Sequence, residues 1–183
     1  MNTYPERAKL PDGILRLMKS SNISLSIADA QAPDCPLIAI NDAFTKMTGY
    51  TNEAVLGKNC RFLQPSGGAG PVRERMHAFI HDDSDTNSRF VVPNVRSNGE
   101  EFINLVYMSK LTRNDEVAFI MGSQFDITKS TTDNLEVYEQ ALKEDIRQLR
   151  FAAQENGLVL IGTYDQLASS HTLIAQLRLD EQP

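Results

Sequence analysis

Apolar residues recur every third or fourth position in some stretches of this chain and every second position in others, and the change of period marks out its elements. Ile14, Leu15, Leu17 and Met18 form a stripe over residues 11–21, where Pro11-Asp12 supplies helix-start chemistry. Ile23, Leu25 and Ile27 alternate with Ser24 and Ser26, which predicts a half-buried strand. A loop with two prolines over 29–36 leads to a second strand, Leu37-Ile38-Ala39-Ile40. Asn41-Asp42 can cap a helix holding Ala43, Phe44 and Met47, which Gly49 ends; Thr51 caps a shorter turn that stops at Gly57. The spacing predicts another helix over 72–80, with Met76, Phe79 and Ile80 turned inward. Strand patterns over 89–95 and 101–111 are joined by the hairpin turn Ser97-Asn98-Gly99-Glu100, and a last strand covers 117–125. Two strands, short helices and then three antiparallel strands predict an α+β domain whose sheet is wrapped by helices.

Helical spacing returns with Leu135, Tyr138, Leu142, Ile146, Leu149 and Ala153. After Asn156-Gly157 a second stripe runs through Leu160, Tyr164, Leu167, His171, Ile174 and Leu177. With a core already complete before them, both helices are expected to pack on each other or on another chain. His171 reads as a helix-interface residue rather than a kinase phosphoacceptor. The expected organisation is an N-terminal cap helix at 1–21, a core at 22–128 and a helical extension at 129–183.

Composition narrows the function classes. The 183 residues are 41% hydrophobic and 23% charged, ordinary for a soluble globular domain able to bury a core. A net charge of −6, with no two Lys or Arg residues adjacent, argues against a nucleic-acid surface. The longest apolar runs, such as 158–161, are too short to span a membrane, and residues 1–10 lack the pattern of a signal peptide, so a cytoplasmic location is expected. On that basis Asn22-Ile23-Ser24 is a chance match to a glycosylation acceptor. Cys35 and Cys60 cannot build a disulfide framework, and a reducing cytoplasm disfavours a single bridge between them. His77 and His81 stand four apart without a third ligand and read as solvated histidines. The glycine-rich stretch 65–71 lacks the Gly-Lys-Ser/Thr ending of a phosphate loop and reads as a flexible connection.

The candidate chemistry lies in Gly57-Lys58-Asn59-Cys60-Arg61-Phe62-Leu63-Gln64. Asn59, Arg61 and Gln64 place hydrogen-bond donors near the Cys60 thiol, unlike the apolar setting of most buried cysteines. On helical spacing Cys60 and Gln64 share a face, and Arg61 can fork onto an anionic tail. From the residues alone the thiol has three readings: inert packing, a redox-sensing thiolate beside Arg61, or attack on a bound cofactor.

The octet resembles the flavin-binding signature of LOV photoreceptor domains, a branch of the PAS fold. Ile40-Asn41-Asp42-Ala43-Phe44 and Thr48-Gly49-Tyr50 precede it, Asn94 and Asn104 bracket the Asn98-Gly99 turn, and Gly122-Ser123-Gln124 lies on the last strand. The resemblance covers about residues 22–128 and implies a PAS/LOV core: a five-stranded antiparallel sheet with short helices, flanked by N- and C-terminal helices. It selects the third reading of the thiol. Flavin mononucleotide (FMN) absorbs blue light, and Cys60 adds reversibly to the C4a carbon of the ring; riboflavin or FAD are the alternative cofactors. Asn59, Arg61 and Gln64 would hold the ribityl chain and phosphate, Asn94 and Asn104 the polar edge of the ring, and Gln124 the ring nitrogen protonated with the adduct. Leu63, Leu105 and Met108 would form apolar walls. Where family members carry a second phosphate-binding Arg this chain has Met76-His77, so Arg73 or Arg75 would substitute, or Arg61 would act alone. That departure implies weaker retention or acceptance of riboflavin. Ala28, where many members are polar, implies an altered adduct lifetime.

The implied protein is a non-enzymatic sensor that signals through its terminal helices, as a homodimer whose association responds to light or by binding an unidentified downstream protein. The N-terminal helix would sit at a dimer interface or cover a sheet edge. The rival readings are a flavin-based redox sensor and a light-independent PAS interaction module.

Overall fold

The computed structural model describes residues 9–82, 87–128 and 131–160. Helix α1 (Asp12–Ser20) leads into β1 (Ser24–Asp29) and β2 (Leu37–Ile40). Then come α2 (Asp42–Thr48), α3 (Asn52–Val55), a 3₁₀ turn at Cys60–Leu63 and α4 (Pro71–His81). Strands β3 (Asn87–Val95), β4 (Glu101–Arg113) and β5 (Glu116–Asp126) follow, then α5 (Thr132–Gln154) and the two-residue β6 (Val159–Leu160). The antiparallel sheet runs β2-β1-β5-β4-β3, the α+β arrangement expected of a PAS core, with β6 as an addition. Strand β4 outruns β3, which pairs only as far as Asn87 with Ser109, and Leu111 and Thr112 beyond it accept Leu160 and Val159.

Leu160 therefore lies in a strand and does not open a helix, because the apolar run that contains it pairs antiparallel with β4 at Leu111 and Thr112. The rest of the predicted second C-terminal helix, including His171, lies outside the described residues.

Local chemistry fixes the connections. Asn41 caps α2, its Oδ1 accepting from Phe44 N at 3.0 Å and also from Leu25 N at 2.9 Å, while its Nδ2 donates to the Ile23 carbonyl at 2.8 Å. One side chain thus starts the helix and ties it to β1.

The sheet is covered on both faces, which changes the reading of β1. Every residue of β1 is buried, Ser24 and Ser26 included, so it is not the half-buried strand that its alternation predicts. Its leucine and isoleucine side face α1 and α5, and its serine side faces the roof made by α4 and the loops.

Helix α5 supplies the second correction. Leu135, Tyr138, Leu142, Ile146, Leu149 and Ala153 are the stripe read from spacing, but they are buried on this chain's own sheet together with Ile14, Leu17 and Met18 of α1. The outer sheet face, with Leu25, Ile27, Leu105, Tyr107, Phe119 and Met121, is apolar enough to need that cover. Gly13 lets the two helices cross closely, since a Cβ there would stand 2.8 Å from Ala152 Cβ. Leu15, counted in the α1 stripe, points out and is 46% exposed.

Candidate functional site

Between the inner sheet face and the roof lies a cavity that brings together Asn59, Cys60, Arg61, Leu63, Gln64, Arg73, Asn94, Asn104 and Gln124. Strand parity places the sheet residues. Asn104, Val106 and Met108 of β4 point inward along with Ile120, Gly122 and Gln124 of β5 and Val92 and Asn94 of β3. The same parity sends Leu105 to the outer face under α1 and α5, so it is not a wall of the cavity; Met108 and Leu63 are. Arg75, the other possible second cation, is exposed and is not among the lining residues, whereas Arg73 and His77 are.

Cys60 opens a 3₁₀ turn, not an α-helix, and Asn59 caps it, its Oδ1 accepting from Arg61 N at 3.0 Å. The exposed surface of Cys60 faces the cavity. Burial pushes its thiol up to about 12, Cys35 adds to the rise, and a hydrogen bond with Ser26 opposes it. Cys35, also on the cavity wall, is pushed up to about 11, chiefly by burial and then by Asp29 and Asp34. Both cysteines are free thiols, and neither has the lowered pKa of a redox-sensing thiolate. Arg61 does not act on the Cys60 sulfur; its guanidinium forks onto Asp34 at 2.6 and 2.7 Å. The Arg61 guanidinium in turn holds the Asp34 carboxyl below its usual range.

These thiols give a pH dependence with a definite sign. A thiol whose folded pKa lies above its unfolded value of about 8.5 contributes stability that is whole below that value and is lost as pH rises toward the folded one. The ligand-free protein should therefore lose stability between pH of about 9 and the folded values of about 11 and 12, by up to about 1.4 kcal/mol per pH unit for each thiol. Urea unfolding at stepped pH should show this fall, shallower in Cys35→Ala; an equal slope in the variant would contradict it.

On the sheet, Gln124 is held at both ends. Its Oε1 accepts from Ser24 Oγ at 2.9 Å and its Nε2 donates to Ser26 Oγ at 2.8 Å, and Ser26 also bonds the Cys60 thiol. The sequence reading missed Ser24 and Ser26 as site residues; their alternation with buried Leu25 and Ile27 was the available signal. Gly122 leaves no room beside them, since a Cβ would lie 2.9 Å from both Gln124 Nε2 and Ser26 Oγ. Gly122→Ala should displace this pair and weaken binding of a ligand in the cavity roughly tenfold, the scale of mild overpacking, as read by titration.

Asn104 carries the decisive polar atom. Its Nδ2 donates to Asn94 Oδ1 at 2.8 Å, yet its own Oδ1 is buried with no partner. A buried carbonyl without a donor is costly, and one on a cavity wall calls for a ligand N–H. The cavity combines apolar walls, amides along one edge and cations at its mouth, and a flavin matches all three: a flat ring, an imide N–H and a polar tail. Among the described residues no group of three or more His, Cys, Asp or Glu could hold a metal.

Residues 25–129, more than half of the chain, match the PAS domain family. The LOV domain of the Erythrobacter litoralis EL346 blue-light activated histidine kinase is 37% identical, with a TM-score of 0.54 over 58% of this chain and 97% of that one. The chain belongs to the PAS family, in its LOV branch. A Rhodobacter sphaeroides LOV protein is 28% identical and superposes with a TM-score of 0.68 over 75% of this LOV chain and 80% of its own. A Listeria monocytogenes protein named as a blue-light photoreceptor is 30% identical over 144 residues, 79% of this chain and 54% of the relative. The chain spans about half or less of the first curated relatives it matches.

Proposed function

We propose that this LOV protein is a blue-light photoreceptor that binds FMN and acts as a sensor, not as an enzyme. The observation that carries the reading is the buried, unpartnered Asn104 Oδ1, set in the same cavity as the Cys60 thiol and the Gln124 amide. A bound flavin would supply absorption of blue light and a ring carbon open to attack. Cys60 Sγ would bond reversibly to C4a while its proton passes to the adjacent ring nitrogen, and both steps would reverse in the dark. Asn94 and Asn104 would hold the polar edge of the ring, Leu63 and Met108 its faces, and Asn59, Gln64, Arg61 and Arg73 the tail. Gln124 would meet the ring nitrogen, where its amide offers a donor or an acceptor by rotation.

Output would pass through β5 to α5. Next to Gln124, the Ser123 hydroxyl bonds Tyr138 Oη at 2.8 Å, and Phe125 stacks on the Tyr138 ring with centroids 4.4 Å apart. A turn of Gln124 that shifts the strand would thus be felt on α5, and a difference in its contacts between the two states would shift their populations. A second copy of the chain or a downstream protein would read out that shift at the exposed side of α5, which carries Val137 and Phe151. No helix among the described residues is long and apolar enough to cross a membrane. The raised thiol pKa values favour the photoreceptor over a thiolate-based redox sensor.

The test is the absorbance spectrum of the purified protein before and after blue light. A flavin band that bleaches and returns in the dark supports the reading. A flavin band unchanged by light, or none after reconstitution, rejects it.

A further inference from the structure

We infer that Ser26 is a positioning residue that couples the Cys60 thiol to the orientation of the Gln124 amide, because its hydroxyl has one proton to give and both groups lie within its reach. The inference deepens the flavin reading but concerns only groups that this chain supplies. Ser24 stands on β1 directly opposite Gln124 of β5, and Ser26 stands opposite Gly122. All three polar side chains are buried, so their polar atoms depend on one another for partners.

The amide has two orientations with the same number of bonds. As it stands, Ser24 Oγ donates to Gln124 Oε1 at 2.9 Å and Gln124 Nε2 donates to Ser26 Oγ at 2.8 Å. A hydroxyl both donates and accepts, so a half-turn of the amide keeps both pairings: Nε2 then donates to Ser24, and Ser26 donates to Oε1. The absence of a side chain at residue 122 leaves room for that turn, since a Cβ there would lie 2.9 Å from both Gln124 Nε2 and Ser26 Oγ.

Ser26 decides between the two. In the present orientation it accepts from Gln124, and its own proton goes to another acceptor. Cys60 Sγ takes it. The Gly122 carbonyl, at 3.5 Å, is too distant for a good O–H···O bond. In the turned orientation the proton belongs to Gln124 Oε1 and the sulfur loses it. The two bonds exclude each other. Whatever draws Cys60 Sγ away from Ser26 therefore removes the bond that favours the present orientation, and the state of the sulfur is felt at Gln124 through the protein itself.

Ser26→Thr and Ser26→Val test this on the full chain without flavin, because the two variants share a shape and differ in the hydroxyl. The first readout is alkylation of Cys60 by iodoacetamide, followed at its own peptide by mass spectrometry. Ser26→Val should slow it by about fivefold, the scale of one hydrogen bond to the thiolate, and Ser26→Thr should stay within about twofold of the unmodified protein. The second readout is the pair of Gln124 side-chain amide signals in a nitrogen–proton correlation spectrum. Adding Cys60→Ala should shift them in the Ser26→Thr protein and leave them in place in the Ser26→Val protein. A serine that merely packs beside Gln124 would give no such dependence. Should Ser26→Val not fold, Ser26→Ala replaces it with the same expectations. Equal alkylation rates in the two variants, or Gln124 signals that respond to Cys60→Ala alike in both, overturn the inference. Flavin is absent throughout, so a spectrum that rejects the flavin reading leaves these outcomes as they are.

Discussion

Cys60→Ala is expected to keep its flavin and lose the whole of its reversible bleaching in blue light. The variant removes one sulfur from a wall built by many other side chains, so its flavin affinity should change by less than about fivefold, the scale of one buried methylene. What disappears is the only atom placed to bond the ring in the proposed chemistry. The raised pKa adds a second expectation for the unmodified protein. With the thiol pushed up to about 12, Cys60 stays protonated throughout the neutral range, and the extent of bleaching should not vary between pH of about 6 and 9. A thiolate nucleophile would instead give a yield that climbs with pH. Bleaching that survives in Cys60→Ala would move the chemistry elsewhere, and Cys35 on the same wall would be the next thiol to replace.

Much of this architecture is legible in the sequence, because the chain changes period where it changes element. The Asn98-Gly99 turn and the alternation after it gave β4, and Asn41 and Gly49 bounded α2. Period alone does not say what covers each face. The family resemblance makes Leu105 a cavity wall, yet it neighbours Asn104 on the same strand and must point to the opposite side. The polar positions of β1 looked solvent-facing, because serines on a strand carry no signal that distinguishes water from a buried amide such as Gln124. Arg61 is legible as an anion binder but not as one already paired, since Asp34 lies far from it in sequence and is delivered by a loop in which Asp34 and Cys35 are left-handed. The spacing that revealed α5 was silent on its partner for the same reason: an apolar stripe fits a sheet of its own chain or the surface of another equally well.

That last ambiguity has a direct thermodynamic consequence at Leu142. The side chain is fully buried where α5 crosses the outer sheet face, among residues of α1, β1, β4 and β5 in one apolar cluster. Leu142→Ala should therefore destabilise the folded chain by about 2–5 kcal/mol, the cost of lost transfer energy plus the cavity left behind. For a domain stable by roughly 5–15 kcal/mol this is a large fraction, enough to lower the urea midpoint clearly without changing the slope of the transition. Val137→Ala on the same helix, at a site 71% exposed, should stay within about 0.5 kcal/mol. The two variants separate packing within the chain from packing between chains. A stripe buried on its own sheet gives a midpoint difference that is independent of protein concentration. If α5 were held by a second copy, the Leu142→Ala deficit would shrink as the unmodified protein was diluted, because association stabilises by mass action. A deficit that holds across a hundredfold dilution, on the order of the range over which mass action would show, places α5 inside the sensor's own core. A change at Gln124 would then reach the surface by loosening this packing from within.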